Sequence, residues 1–293
     1  MSDLSVGVDV GGTKVRVGIC HRDGSIQNKL VKATAEPESI VSQIGELLQE
    51  SGLDSDQLVG VGIGSAGPLD LKRGLVVDPV NISGWGTVPL RSMVHEAFGV
   101  PTYMDNDANA AALAERMHGV GSDDLIYITI STGIGGGIIA NGSLVHGGGS
   151  AGEIGHMTLV PSGPLCNCGK RGCLEALASG TAIAKRGREL MNLDGGAEEV
   201  FEEARTGNNV AKMIIDNAAC YLGLAIANLT ELLHPEDVVL GGGVTSSWAL
   251  LEERVRSALD THRRVEVNLT LTSLGPHNGL LGAGMLPFHH RSQ

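Results

Sequence analysis

Short runs of β-branched residues alternate along the chain with longer stretches of helical periodicity, and glycines mark many of the junctions. Near the N-terminus, residues 6–10 and 15–19 flank Gly11-Gly12-Thr13, a pattern that predicts a β-hairpin with a glycine turn. Further strands are predicted at 59–63 and 102–105. The predicted helices cover 37–51, 90–98, 108–117, 180–191, 196–205, 210–233, 247–261 and 279–286.

The strand, turn and strand of the N-terminus are repeated in the middle of the chain. Residues 125–130 lead through Ser131-Thr132-Gly133 to a second apolar run, and residues 237–240 later run into Gly241-Gly242-Gly243. Because each copy is followed by further strands and helices, the duplication predicts an α/β fold of two related lobes with a cleft between them. The boundary between the lobes is expected within residues 110–122.

Charge and composition narrow the possible partners. A formal net charge of −12 disfavours non-specific binding to nucleic acid or to anionic membranes. Aromatic residues make up only 3%, which argues against a stacking platform for single-stranded nucleic acid. No apolar run approaches the roughly 20 residues of a membrane span, and residues 1–9 lack the pattern of a signal peptide. We therefore expect a cytoplasmic protein.

The two glycine turns are candidate phosphate sites. Glycine lets backbone N–H groups face an anion without a Cβ in the way, and Thr13 adds a hydroxyl donor. Asp9 stands directly before the first turn, where a carboxylate can hold Mg²⁺ against phosphates. An ordinary hairpin turn is the alternative for either copy alone, but the copy at Ser131-Thr132-Gly133 favours a nucleotide held from both lobes. A glycine spacing typical of dinucleotide sites at 62–67 is rejected, because Pro68 follows it in place of a helix.

A polar segment at a strand-to-helix junction supplies the candidate catalytic base, Asp107. Phosphoryl transfer depends on position and charge neutralisation more than on a strong base, so an ordinary aspartate can accept the proton of an attacking hydroxyl. The neighbouring Asn106 can both donate and accept hydrogen bonds, which suits a polyol. The alternative is that Asp107 only caps the alanine-rich helix that follows.

Three cysteines and one histidine form a candidate metal site. Cys166, Cys168 and Cys173 crowd into a Gly/Pro-rich loop, and His156 lies shortly before them. Three thiolates and an imidazole suit a closed tetrahedral structural Zn²⁺ site, and the metal would fold a loop that has little apolar content. The alternative is a coincidental group of free cysteines. Two carboxylates, Glu153 and Glu175, flank these ligands and with His156 predict a cluster that binds sugar hydroxyls.

Together these segments resemble the ROK family (repressors, open reading frames and kinases) of the actin-like/hexokinase ATPase superfamily. The matching stretches follow one another in the family's order. They are Asp9–Lys14, Gly62–Pro68, Asn106–Asn109, Ser131–Gly137, Glu153–His156, Cys166–Glu175 and, towards the C-terminus, Gly241–Gly243. The cysteine motif combined with Glu-x-Gly-His is the most specific of them.

The resemblance implies two actin-like (ribonuclease H-like) lobes and a role for each matching residue. The small N-terminal lobe would comprise residues 1–115, with the C-terminal helix (279–293) packed on it, and the large lobe residues 116–278 with the zinc loop. Asp107 would be the base. ATP would lie against Asp9, Gly11, Gly12, Thr13, Lys14, Ser131, Thr132 and Gly133, with Gly241, Gly242 and Gly243 near the adenosine. The sugar would contact Asn81, Asn106, Glu153, His156 and Glu175, and zinc would be held by His156, Cys166, Cys168 and Cys173. Trp85, in the segment of Asn81, is equally compatible with a core position.

The leading functional hypothesis is an ATP- and Mg²⁺-dependent hexose kinase that acts on free glucose and assembles as a homodimer or homotetramer. N-acetylmannosamine, mannose or fructose kinases are alternatives, because sequence does not display the groups that discriminate among hexoses. A sugar-responsive repressor would need a DNA-binding helix-turn-helix ahead of the first glycine turn, which here begins at residue 11. A non-catalytic sugar-binding protein would lack the base or a phosphate turn, and both are present.

Overall fold

The computed structural model describes residues 3–79 and 82–291. Within the chain two compact units are distinguished. The first unit comprises Met1–Gly121, Gly142–Ala151 and Ser273–Gln293, and the second comprises Ser122–Asn141 and Gly152–Thr272. The predicted lobes, 1–115 and 116–278, and the cleft between them stay predictions.

The first unit is built on a five-stranded sheet in the order β3-β2-β1-β4-β7. Its strands are β1 (Leu4–Val10), β2 (Lys14–His21), β3 (Ile26–Ala33), β4 (Leu58–Ser65) and β7 (Thr102–Asn106). Two short strands, β5 (Leu69–Asp70) and β6 (Leu75–Val76), form a separate hairpin, and β10 (Ser143–Leu144) lies in the segment Gly142–Ala151. Its helices are α1 (Glu38–Ser51), α2 (Leu90–Phe98), α3 (Asp107–His118) and α9 (Asn278–Arg291).

The second unit contains the strand order β9-β8-β11-β12. These strands are β8 (Leu125–Ile130), β9 (Ile134–Ala140), β11 (Asp237–Gly241) and β12 (Asn268–Leu271). The helices of this unit are α4 (Leu174–Ala178), α5 (Gly180–Met191), α6 (Ala197–Arg205), α7 (Asn209–Leu233) and α8 (Glu252–His262).

The two sheets share one pairing pattern. In each, an antiparallel hairpin (β1–β2 or β8–β9) is joined through its first strand to two parallel strands (β4 and β7, or β11 and β12). The predicted duplication of the glycine-turn hairpin within an α/β fold is therefore confirmed. The carboxyl ends of the parallel strands, where ligands bind in open α/β sheets, fall at the predicted phosphate turns and at Asp107.

Helix α9 packs on β1, β4 and α3, and glycines in the strands permit its close approach. A Cβ at Gly7 would lie 2.5 Å from the carbonyl oxygen of Leu280, and a Cβ at Gly62 would overlap the carbonyl oxygen of Ala283. At these glycines, the backbone of α9 occupies the space that a strand side chain would otherwise fill. They explain why the predicted β4 segment alternates glycine with valine and isoleucine.

Contrary to the expectation from sequence, helix α7 in the second unit's core is long and apolar enough, by length and composition only, to cross a membrane. It is the one such helix among residues 3–79 and 82–291, and 56% of its apolar window is buried inside the protein. A core helix that is apolar on most sides has the same composition. The helix is therefore weak evidence for a membrane span.

The helix predicted at 247–261 starts later than expected. Residues Gly243–Leu250 form a 3₁₀ helix, and α8 begins at Glu252. The Thr245 hydroxyl donates to the carbonyl oxygen of Gly242 at 2.7 Å, and the Ser246 hydroxyl donates to that of Gly243 at 2.8 Å. Hydroxyls that bond to carbonyls three residues back compete with the α-helical pattern, which explains the tighter turn.

Candidate active site

The first predicted phosphate turn joins β1 to β2 and is held by hydrogen bonds on both sides. The Gly11 N–H donates to the carbonyl oxygen of Lys14 at 3.0 Å, and the Thr34 hydroxyl donates to the carbonyl oxygen of Gly11 at 2.7 Å. Thr13 and Lys14 are exposed and Gly12 is half-buried. The turn therefore has a fixed shape and presents a hydroxyl and an ammonium group to solvent, as a phosphate site requires.

Asp9, at the end of β1, is paired with Arg16 on β2. The residues are cross-strand neighbours, and the Arg16 guanidinium lies 2.8 Å from Asp9 Oδ2. Burial raises the pKa of the Asp9 carboxyl, and the adjacent Arg16 opposes that rise. The carboxylate is also close to the start of α9, where a Cβ at Gly279 would lie 3.5 Å from it. Mg²⁺ prefers oxygen ligands such as carboxylates, and Asp9 places one beside the turn.

The second predicted phosphate turn joins β8 to β9 and lies at the start of α5. The Ser131 N–H donates to the carbonyl oxygen of Gly133 at 2.9 Å. The N–H groups of Gly180 and Thr181 donate to the carbonyl oxygens of Ser131 and Thr132 at 2.8 and 3.2 Å. The Ser131 and Thr132 side chains are exposed. Hydroxyl donors beside the positive end of a helix dipole favour an anion at this turn.

The Gly241–Gly243 turn lies beside the second phosphate turn because β11 pairs with β8. Gly242 has φ +92°, and a Cβ there would overlap the carbonyl oxygen of Ile130, immediately before Ser131. Only glycine allows this backbone conformation together with this approach. The structure thus brings the two predicted nucleotide segments of the second unit together.

Asp107 is the first residue of α3 and follows β7 directly. The helix cap is Asn106, whose Oδ1 accepts from the Ala108 N–H at 2.9 Å. The alternative that Asp107 is the N-cap is therefore wrong, because Asn106 holds that position. Asp107 Oδ1 nevertheless also accepts from the Ala108 N–H at 2.8 Å. Asp107 is half-buried at the carboxyl edge of the sheet. A carboxylate in this position can accept a proton from a bound alcohol.

Sequence reasoning missed two side chains that adjoin this junction, Asp105 and His146. The buried Asp105 accepts from the Asn106 N–H and from Asn109 Nδ2, both at 2.8 Å, and from His146 Nε2 at 2.6 Å. The hydrogen bond to Asp105 raises the pKa of His146. Asp105 and His146 lie far apart in sequence, so no local pattern pairs them. Arg16 was missed too, although the alternation of a hairpin around Gly11–Thr13 places it opposite Asp9.

The predicted zinc ligands form one compact cluster. The ligand atoms of His156, Cys166, Cys168 and Cys173 all lie within 4.8 Å of one another. Cys168 Sγ and Cys173 Sγ are 3.6 Å apart, and Cys166 Sγ is 3.7 Å from His156 Nδ1. These separations are close to the ~3.7 Å edge of a tetrahedron with ~2.3 Å zinc–sulfur bonds, and far from the ~2.05 Å of a disulfide. The residues therefore fit Zn²⁺.

The thiols of this cluster differ in their environment. Burial raises the pKa of the Cys173 thiol to about 11, and burial also raises the pKa of Cys166. The backbone N–H of Lys170 lowers the pKa of the exposed Cys168. Gly172 has φ +65°, and a Cβ there would overlap the carbonyl oxygen of Val160, so the loop depends on a glycine beside Cys173.

The predicted sugar ligands of the second unit lie around the zinc cluster. Glu153 Oε2 is 3.9 Å from His156 Nε2, the ring nitrogen that does not face the cysteines. Glu175, the second residue of α4, accepts from the Ile134 N–H at 3.0 Å. This bond ties a predicted sugar ligand to the residue that follows the Ser131–Gly133 turn.

The predicted site residues are thus distributed between the two units. The first contains Asp9, Gly11, Gly12, Thr13, Lys14, Asn106 and Asp107. The second contains Ser131, Thr132, Gly133, Glu153, His156, Cys166, Cys168, Cys173, Glu175, Gly241, Gly242 and Gly243. Asn81 lies outside the described residues. Trp85 belongs to the first unit's core, and its Nε1–H donates to the carbonyl oxygen of Ala35 at 2.7 Å.

Comparison with known proteins places this arrangement in a family. The ROK family model matches residues 5–289, so the chain belongs to the ROK family. The chain is 37% identical to a glucokinase of Halalkalibacterium halodurans, with 96% of the chain and 94% of the relative covered.

Two solved structures extend the likeness to the fold. A ROK hexokinase from Thermus thermophilus is 35% identical with a TM-score of 0.88, and 99% of each chain is covered. A ROK family glucokinase from Streptomyces griseus, solved in complex with glucose and AMPPNP, is 35% identical with a TM-score of 0.81, over 97% of this chain and 98% of that one. The predicted family and the actin-like α/β fold are confirmed.

Proposed function

We propose that this chain is an ATP-dependent glucokinase that converts free glucose to glucose 6-phosphate. The observation that carries the proposal is the half-buried carboxylate of Asp107 at the carboxyl edge of the first sheet, in a chain of the ROK family. The glucokinase relatives confirm the predicted class of enzyme, a hexose kinase. The residue roles that follow are part of the proposal.

Asp107 accepts the proton of the glucose hydroxyl as that oxygen bonds to the γ-phosphorus of ATP. The bond between the γ-phosphorus and the bridging oxygen breaks, and ADP leaves. Asn106 uses Oδ1 to cap α3, so its Nδ2 is the group that donates to a sugar hydroxyl. The turns Gly11–Lys14 and Ser131–Gly133 bind the phosphates through hydroxyl, ammonium and backbone donors. Asp9 holds Mg²⁺, which when bound neutralises charge on the phosphate oxygens. Gly241–Gly243 lie near the adenosine.

Glu153, His156, Glu175 and Asn81 bind further glucose hydroxyls. His156 presents Nε2 towards Glu153 while Nδ1 faces the cysteines, so a zinc ion on Nδ1 would fix Nε2 as a hydrogen-bond donor. These four side chains would fill the tetrahedral positions of a bound Zn²⁺, which would then hold this loop and take no part in the reaction.

The alternatives differ in support. N-acetylmannosamine is not favoured as the acceptor, since two relatives that are 37% identical over most of the chain are glucokinases. Mannose and fructose stay open as secondary acceptors. For the repressor alternative, a transcriptional regulator of the same fold is only 22% identical, so that likeness concerns the fold alone. We further propose a cytoplasmic location and a homodimer or homotetramer.

ADP release measured with a panel of free hexoses tests the proposal. We expect glucose to give the highest kcat/KM, at least tenfold above N-acetylmannosamine. Mannose and fructose complete the panel, and Mg²⁺ omission serves as the control. ADP release that does not depend on any hexose, or a preference for N-acetylmannosamine, would contradict it.

A further inference from the structure

A hydrogen bond between His146 and Asp105 links a glycine-rich loop to the junction that presents Asp107. His146 Nε2 lies 2.6 Å from Asp105 Oδ2. The Asp105 side chain is only 3% exposed, whereas that of His146 is 39% exposed. A buried carboxylate needs hydrogen-bond partners for both oxygens, and His146 supplies a partner for Oδ2.

The other oxygen of Asp105 fixes the backbone on both sides of Asp107. Oδ1 accepts from the N–H of Asn106, the residue before Asp107, and from the side chain of Asn109, in the first turn of α3. Asp107 therefore stands between two residues that one carboxylate holds. A shift of Asp105 would move the peptide plane and the helix start that set the direction of the Asp107 side chain.

His146 also organises the loop on which it lies. Its carbonyl oxygen accepts from the N–H groups of Gly149 at 2.7 Å and Ala151 at 3.2 Å. Gly147 and Gly149 have φ values of +54° and +109°, in the left-handed region that favours glycine. Glu153, a predicted sugar ligand, follows His146 by seven positions in sequence. The imidazole is thus the side chain by which the loop before Glu153 is bonded to Asp105.

We propose that His146 is a positioning residue for phosphoryl transfer: through Asp105 it holds the Asn106–Asp107 junction in the geometry that accepts the sugar proton. The inference rests on the proposed function. His146 acts through Asp105 and needs only an N–H donor at the Nε2 position. Among the described residues, the charged or titratable groups that face this pair include His289 and His290 on α9 and, beside His289, Arg116 on α3.

Replacement of His146 by residues that differ in reach tests the role of the donor. His146→Gln places an amide N–H₂ near the position of Nε2, whereas the amide of His146→Asn is too short to reach Asp105. We expect kcat with glucose to fall on the order of tenfold in H146A and H146N and to recover to within about threefold of wild type in H146Q. KM for ATP should stay within twofold in all three. His21→Ala removes another hydrogen-bonded histidine of the first unit and should leave kcat unchanged.

The result that overturns the inference is a kcat for H146N within twofold of wild type, or a kcat for H146Q as low as that for H146N. If H146A fails to fold, the comparison of Gln with Asn decides alone, because both are polar and of similar size. A loss of kcat that disappears when activities are corrected for the folded fraction, from urea unfolding, would also overturn it.

A second readout does not depend on catalysis. In ¹⁵N-histidine NMR titrations, the pKa of the His146 imidazole should be lower in the Asp105→Asn variant than in wild type, since the charge that stabilises the imidazolium is removed. An unchanged pKa would overturn the pairing itself. If wild-type protein phosphorylates no hexose while this pKa coupling is present, the proposed function fails and the Asp105–His146 pair stands.

Discussion

The hairpins β1–β2 and β8–β9 have the same strand pairing but carry different side chains. In the first, the second cross-strand pair from the turn is Asp9 and Arg16, which form an ion pair. In the second, the equivalent pair is the uncharged Thr129 and Gly135. The second turn is supported instead by a carboxylate from outside the hairpin, since Glu175 accepts from the Ile134 N–H.

This difference shows that one set of residues determines the fold of the hairpins and another set determines the chemistry of the candidate site. Alternating apolar residues and glycines are shared by both hairpins, and they produce the common topology. The polar residues are not shared: the first hairpin offers an acidic group that suits a cation, and the second is bonded to the helix that follows the zinc loop. On the proposed function, each copy of the hairpin therefore carries its own chemistry: the first has the carboxylate proposed for Mg²⁺, and the second has a turn bonded to a predicted sugar ligand.

Among the tests of this comparison, the largest effect is expected from the charged pair of the first hairpin. Asp9→Asn removes the carboxylate proposed to hold Mg²⁺, so kcat/KM for ATP should fall on the order of 100-fold. Thr129→Val alters the equivalent position of the second hairpin and should change kcat/KM less than twofold. Steady-state kinetics at saturating glucose over a range of Mg²⁺ concentrations gives both values. Equal losses of kcat/KM in the two variants would contradict the proposed difference between the two hairpins.

The carboxylate that supports the second turn should show a smaller effect, directed at the sugar. Glu175→Ala removes both the predicted glucose contact and the acceptor for the Ile134 N–H, so KM for glucose should rise roughly tenfold. Glu175→Gln retains an acceptor oxygen and should raise this KM less. Glucose saturation curves measure the difference. Wild-type KM in the alanine variant would exclude Glu175 from the sugar site.

Substitution of one cysteine tests whether the loop before α4 binds zinc and is stabilised by it. Cys168→Ser should leave less than half an equivalent of zinc per chain by metal analysis and lower the Tm by roughly 5 °C or more. Cys220→Ser is the matched control, because Cys220 lies outside the cluster, and it should retain a full equivalent. A stoichiometric zinc content in C168S would show that the metal is not bound by these cysteines.

The smallest expected effect is a pH dependence of stability in the first unit. Asp105 raises the pKa of His146 above its usual value of 6.5. The imidazolium therefore stabilises the fold below about pH 6.5, and this contribution is lost as pH rises through the raised pKa. Burial lowers the pKa values of the facing His289 and His290, which keeps them neutral over more of this range.

Differential scanning fluorimetry of wild type and H146Q checks this sign. The Tm of wild type should exceed that of H146Q by more at pH 6 than at pH 8.5. The difference is expected to be small, because His146 is partly exposed and solvent screens the pair. A difference that grows towards pH 8.5 would mean that the neutral imidazole is the stabilising form.

The elements that the sequence predicted well are those set by local pattern. Helix α2 was predicted at 90–98 and is found at Leu90–Phe98, and α5 was predicted at 180–191 and is found at Gly180–Met191. Glycine between β-branched runs likewise placed both hairpins. Helix α8 begins later than predicted, because hydroxyl side chains before it donate to carbonyl oxygens three residues earlier. The helical periodicity of the sequence does not indicate this effect.

The candidate site was predictable where one segment carries the chemistry. The predicted zinc ligands lie together, as the spacing of the cysteines indicated. The Asp105–His146 pair was not predictable, because a hydrogen bond between residues so distant in sequence depends on the tertiary fold. The Glu175–Ile134 bond belongs to the same class. The sequence identifies candidate site residues, and long-range hydrogen bonds of this kind set the positions of their side chains.

The most direct test of the account is the glucose-dependent ADP release of Asp107→Asn, together with its glucose affinity. The variant keeps the size of the side chain and removes its ability to accept a proton. We predict that kcat falls at least about 100-fold while the dissociation constant for glucose, from calorimetry, stays within about threefold of wild type. A kcat within a few-fold of wild type would contradict the assignment of Asp107 as the base.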